Sequence, residues 1–246
     1  MSDDAVRKAV VTGASSGIGA AVCARLIADG LEVVGVSRRG HAELEQSSAF
    51  RHVSLDLGDL DSLPTQAEKL ATEHADAAVV VLCAGRGDFG SLEEFSYDAI
   101  RSLVELDFLS HAYLCRAFVP RMKRKRGGLV VFIGSEAAHR GTQKGAVYCA
   151  SKFALRGFAQ ALREEVSSRG VRVSFVSPAM TRTPFFDDLD FEPGPGADNA
   201  LDPASVADAV AAVVAQPPTA VVDEIRMSPL KRVVRKSAAP RGGAES

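Results

Sequence analysis

Residues 12–19 read Thr12-Gly13-Ala14-Ser15-Ser16-Gly17-Ile18-Gly19, follow the apolar run Ala9-Val10-Val11 and open a segment of helical periodicity. A turn of this kind joins a strand to a helix. Gly13 permits the tight turn, Gly17 lets backbone approach a pyrophosphate, and Gly19 lets the helix pack close to the strand. The helix starting near Gly17, with Ser15, Ser16 and Ile18 beside it, offers unpaired N–H groups and a positive dipole end to a phosphate. A lone glycine pattern is a weak signal, but here a strand precedes it and an amphipathic helix follows.

Outward from this turn, short apolar runs alternate with longer helical patterns, the signature of parallel βαβ units. Strands are expected at Ala9–Thr12, Glu32–Val36, His52–Leu55, Ala78–Leu82, Leu129–Ile133, Arg172–Val176 and Ala220–Ile225. Helices are expected at Ile18–Asp29, Leu60–Glu73, Tyr97–Lys123, Ala146–Ser168 and Pro203–Ala215. Several strands are unbroken Val/Ile/Leu runs, as where helices cover both sheet faces. With no repeat and no linker, the 246 residues read as one α/β domain over 1–235: a doubly wound, mostly parallel sheet of about seven strands. Residues 183–202, with Asp187, Asp188, Asp190, Glu192, Asp198 and exposed-looking Phe185, Phe186 and Phe191, read as a substrate lid. Residues 236–246 read as a frayed, disordered tail.

The second strand ends before Ser37-Arg38-Arg39. A site for NAD would place a carboxylate here, whereas arginine suits the 2′-phosphate of NADP(H). Two solvated loop arginines are the plain alternative. Asp56, with Leu57 beside it after the third strand, is placed to meet an adenine amino group or simply to cap a turn.

Downstream, Tyr148 and Lys152 stand four residues apart on one helix face, and Ser135 lies thirteen residues before the tyrosine, behind the fifth strand. An ammonium near a phenol lowers its pKa from about 10 towards working pH, which lets it exchange protons with an alcohol or carbonyl oxygen. Ser135 would donate to that oxygen. Tyrosine and lysine at this spacing also arise by chance; the serine and the glycine turn make the combination specific, and hydride transfer is the chemistry it suggests.

These motifs resemble the short-chain dehydrogenase/reductase family from about Lys8 to Met227. Thr12 to Gly19 is similar to its TGxxxGxG, Cys83-Ala84-Gly85 to its NNAG, Ser135, Tyr148 and Lys152 to its catalytic triad, and Pro178 to Thr183 to its PGxVxT. The resemblance implies a Rossmann-type fold, tyrosine as general acid/base, and hydride transfer at nicotinamide C4. It also implies Pro178, Met180, Thr181 and Thr183 beside the nicotinamide amide, Cys83, Ala84 and Gly85 against the cofactor, and a homodimer or homotetramer. Three departures stand out. Asp107 replaces the family's asparagine, whose backbone carbonyl holds a water in a relay to the lysine; Cys83 replaces an asparagine; and Ala179 replaces the glycine of PG.

The expected activity is therefore reduction of a carbonyl, or oxidation of an alcohol, with NADP(H). A cofactor-binding sensor or scaffold, or an epimerase or dehydratase using the same site, are the alternatives. A net charge of −2 gives no general attraction to nucleic acid or anionic membrane. The basic run Met122–Arg126 reads as cations at a helix C-terminus. Five histidines without ligand spacing argue against a metal. Four scattered cysteines read as reduced thiols of a cytoplasmic protein, and neither a signal peptide nor the roughly 20 apolar residues of a membrane span is expected.

Overall fold

The computed structural model describes residues 7–237. Among them, seven strands form one wholly parallel sheet: β1 (Lys8–Thr12), β2 (Glu32–Ser37), β3 (Phe50–Ser54), β4 (Val79–Leu82), β5 (Gly128–Ile133), β6 (Val171–Pro178) and β8 (Glu224–Met227). Their order is β3-β2-β1-β4-β5-β6-β8. The chain leaves β1 in one direction for β2 and β3, then returns to lay β4 on the other side. This reversal opens a crevice at the carboxyl ends of β1 and β4, where open α/β sheets bind ligands.

Both faces of the sheet are covered, which is why its strands carry apolar side chains at successive positions. Val10, Val34, Val80, Val130 and Val173 point to one face, against Leu63 and Leu70 of α2 (Leu63–Glu73), Phe118 of α4 (Ser110–Lys125) and Leu155 of α5 (Ala146–Val166). Val11, Val33, Val79, Val81 and Val131 point to the other, against Leu26 of α1 (Gly17–Ala28) and Val210 of α6 (Pro203–Val214). Each such side chain, fully buried, contributes about 1.5–3 kcal/mol.

Four expectations need correcting. The helix expected over Tyr97–Lys123 is interrupted: α3 (Tyr97–Val104) passes through a π-helical turn, Glu105–Leu109, into α4. The wider turn carries Asp107 inside, where it is fully buried. The seventh strand starts at Glu224 rather than Ala220. The Arg172 guanidinium takes the carbonyls of Gln216 (3.0 Å) and Ala220 (3.5 Å), fixing that stretch as a turn outside the ladder.

Residues 183–202 are built, not merely looped. β7 (Phe191–Pro193) pairs antiparallel with β9 (Val234–Lys236), and Arg182 donates to the carbonyls of Gly194 and Gly196, both at 3.1 Å. The three phenylalanines expected to be exposed are half-buried (Phe185, Phe191) or buried (Phe186). Lys236, expected to start the tail, is the last residue of β9; the tail positions 238–246 lie outside the described residues. Among the described residues no helix is long and apolar enough to cross a membrane.

Candidate active site

The glycine turn is built as its sequence demands. Gly13 has φ 71° and donates to the carbonyl of Val36 at 2.9 Å, and Gly17 has φ 54°; side-chain-bearing residues adopt such angles only under strain. At Gly19 a Cβ would fall 2.1 Å from the Gly13 carbonyl oxygen, so only glycine lets α1 sit this close. Ser16 precedes α1 in extended conformation and makes no side-chain cap, and the first turn holds no carboxylate. The first N–H groups of the helix, at Gly17, Ile18 and Gly19, therefore meet the crevice without an intrahelical partner.

Thr12 then locks the neighbouring strand into place. Its Oγ1 accepts from the N–H groups of Cys83 (2.9 Å) and Ala84 (3.1 Å), which sets Cys83-Ala84-Gly85 directly against Gly13. Across the crevice, the Thr183 methyl comes within 3.1 Å of where a Cβ on Gly17 would lie. Pro178 and Thr181 are buried, Met180 is half-buried, and Thr181 Oγ1 donates to the Ala179 carbonyl at 3.0 Å. At the end of β2, Ser37 Oγ donates to the Arg39 carbonyl (2.7 Å), while the Arg38 and Arg39 side chains stand exposed. Asp56, beyond β3, spends its Oδ1 on the Gly58 N–H at 2.9 Å, closing a turn, with Leu57 buried beside it.

Tyr148 and Lys152 lie one turn apart in α5, both buried, with the Lys152 Nζ 5.5 Å from the centre of the phenol ring. Ser135 follows β5; its hydroxyl stands beside the phenol of Tyr148 and accepts from the Ala137 N–H at 3.1 Å. Beneath them lies the Asp107 carboxylate. Asp107 Oδ2 is 2.9 Å from Lys152 Nζ, and its Oδ1 accepts from the Arg86 N–H at 2.9 Å. Gly85 makes room for this pair, since a Cβ there would stand 3.1 Å from the ammonium and 3.2 Å from the carboxylate.

The electrostatics reverse one expectation. The Tyr148 phenol lies above its ordinary pKa, not below it: burial raises it, Asp107 adds to that, and together they outweigh Lys152 and the Ser135 hydrogen bond. Burial likewise raises Asp107 despite the adjacent ammonium. Burial also opposes the charge on Lys152, yet Asp107 and Tyr148 hold its pKa above the ordinary lysine value. Burial pushes the Cys83 thiol up to about 12, so it stays neutral beside the lysine.

A strand-to-helix phosphate turn, a buried lysine and a phenol with a serine beside it thus share one crevice, and over residues 7–192 the sequence matches the short chain dehydrogenase family. The chain belongs to that family. An uncharacterized oxidoreductase of Staphylococcus saprophyticus is 30% identical over 230 residues, covering 90% of this chain and 97% of that one. A D-threitol dehydrogenase of Mycolicibacterium smegmatis is 31% identical over 182 residues, 71% of this chain and 70% of that one. Among solved structures, an alcohol dehydrogenase of the archaeon Thermococcus sibiricus complexed with 5-hydroxy-NADP superposes with a TM-score of 0.82 at 27% identity, over 93% of this chain and 99% of that one. A metagenomic short-chain oxidoreductase in complex with NADP gives 0.77 at 29% identity, over 91% and 96%.

Within this short-chain dehydrogenase, sequence reasoning passed over Thr12 as a strand tie, Arg86 as the second partner of Asp107, and Phe89. Thr12 was legible as the first letter of its motif. Arg86 acts through its backbone, and Phe89 sits in an irregular stretch, so neither leaves a pattern. Arg140, between Ser135 and Tyr148, pairs with Glu136 at 3.1 Å on the surface.

Proposed function

We propose that this oxidoreductase transfers a hydride between NADP(H) and a carbonyl/secondary-alcohol pair, with Tyr148 as general acid/base. The observation that carries this is the meeting of Ser135, Tyr148 and the buried Lys152 at the crevice opened by the glycine turn. The residues fit the cofactor: the uncapped start of α1 suits a pyrophosphate, and the absence of a side chain at Gly85 leaves room beside the Lys152 ammonium. Arg38 and Arg39, exposed after β2, suit the 2′-phosphate. The two solved relatives bound to NADP or its 5-hydroxy form support the same choice.

Bound there, NADP(H) supplies or accepts the hydride. Tyr148 gives its phenolic proton to the substrate oxygen in reduction and takes it back in oxidation. Ser135 donates a hydrogen bond to that oxygen as charge develops on it. Lys152 holds the ribose hydroxyls and keeps a positive charge beside the phenol.

The test is NADPH oxidation by purified protein across ketones and aldehydes. Turnover with one carbonyl reduced per NADPH oxidised is expected. Binding without oxidation would establish the sensor, and product without net cofactor use the epimerase or dehydratase. Neutral residues at Arg38 and Arg39 should weaken NADPH far more than NADH; equal losses would refute the 2′-phosphate assignment.

A further inference from the structure

Tyr148 closes a circuit of five aromatic rings drawn from three parts of the chain. Phe89, between β4 and α3, meets it at 5.1 Å, and Phe185 meets it at 5.9 Å from the other side. Phe185 packs on Phe186 (5.1 Å), Phe186 on Phe191 (5.9 Å), and Phe191 turns its edge to Phe89 (5.0 Å, 87° between planes). Leu103, Val147 and Cys149 back this circuit. Gly87 is part of its construction, because a Cβ there would lie 2.2 Å from the Phe185 ring.

Tyr148 is only 6% exposed, and Phe89 and Phe185 flank its ring, so a molecule seated at its hydroxyl lies beside these rings. A polyhydroxylated chain would set its hydroxyls against ring faces without partners, whereas an apolar ring would pack on them. Charges of this region point away from the circuit: Glu192 pairs with Arg235 (2.9 Å) and Asp198 with Lys231 (2.8 Å).

We infer that the ligand seated at Tyr148 carries an apolar, ring-sized group beside its oxygen-bearing carbon: an aryl or alicyclic ketone, or the matching alcohol. This rests on Tyr148 being the reacting centre proposed above. Hydrophobic pockets of this kind discriminate by roughly 10–200-fold per misfitted group.

The test uses the full chain with NADPH bound and Tyr148→Phe to silence turnover, titrated with 1-phenylethanol or threitol in a calorimeter. The phenyl alcohol should bind at least about tenfold more tightly. Phe191→Ala, or Gly87→Ala, which intrudes on Phe185 without removing a ring, should weaken that binding alone and leave NADPH affinity unchanged. Threitol binding as tightly, or both alcohols weakened equally, would overturn the inference. If the binding preference holds but the unmodified protein turns over neither phenylethanol nor its ketone, the aromatic site stands and the catalytic reading fails.

Discussion

Asp107 sets the electrostatics on which Tyr148 operates. Its carboxylate is fully buried 2.9 Å from Lys152, so much of the ammonium's field is spent on it and not on the phenol. Asp107→Asn keeps an oxygen for the Arg86 N–H but removes the charge. Tyr148 should then titrate lower, since the charge that raises it is gone. In reduction the phenol must be protonated, so activity falls as pH rises through its pKa; the alkaline limb of the pH profile should move to lower pH in the variant. The same shift can be read from tyrosinate absorbance, which no tryptophan obscures in this chain. A limb and titration that do not move would remove Asp107 from the account. The sequence exposed the substitution and its bearing on the lysine but not the direct pairing, because Lys152 is 45 residues away in the chain and meets Asp107 only through the π-helical turn.

At the scale of elements, the lid and the C-terminal segment form one device. β9 pairs with β7, and Lys231, Arg232 and Arg235 reach Asp198, Glu136 and Glu192. Exposed ion pairs of this type contribute about 0–1 kcal/mol each, so the short ribbon and its charges together hold Phe191 against Phe89 and Phe186 only modestly. Ending the chain after Leu230 should raise KM and speed proteolytic cutting within residues 183–202, with NADPH affinity unaltered. Unchanged KM and cutting would show that the ribbon does not hold the lid. The acidic lid and the basic run were each legible in the sequence, but their pairing was not, since charge runs carry no register. Strands β1, β2, β4 and β5 were legible because a sheet covered on both faces demands unbroken apolar runs, whereas β3, FRHVS in sequence, begins two residues before the expected His52. β8, half-buried at the sheet edge, lacks such a run and was displaced by four residues.

For the whole molecule, acid stability is set partly by His111 of α4. Burial, aided by the charge of Lys152, pushes its pKa down to about 3 from 6.5. Below the unfolded value the unfolded chain binds a proton that the native chain refuses, so stability is complete above that value and is lost as pH falls towards about 3. At about pH 5 the loss should be roughly 2 kcal/mol. Urea midpoints should fall between neutral pH and pH 5 in the unmodified protein and fall less in His111→Gln; an equal fall would assign the acid sensitivity elsewhere. The same core fixes where the reactive groups meet, and the central claim is that the meeting makes Tyr148 the proton donor. Single-turnover reduction by NADPH-loaded protein, compared between the unmodified chain and Tyr148→Phe, tests that claim most directly. The account predicts undiminished NADPH binding with reduction slowed about 10²–10⁴-fold; reduction at the unmodified rate would contradict it.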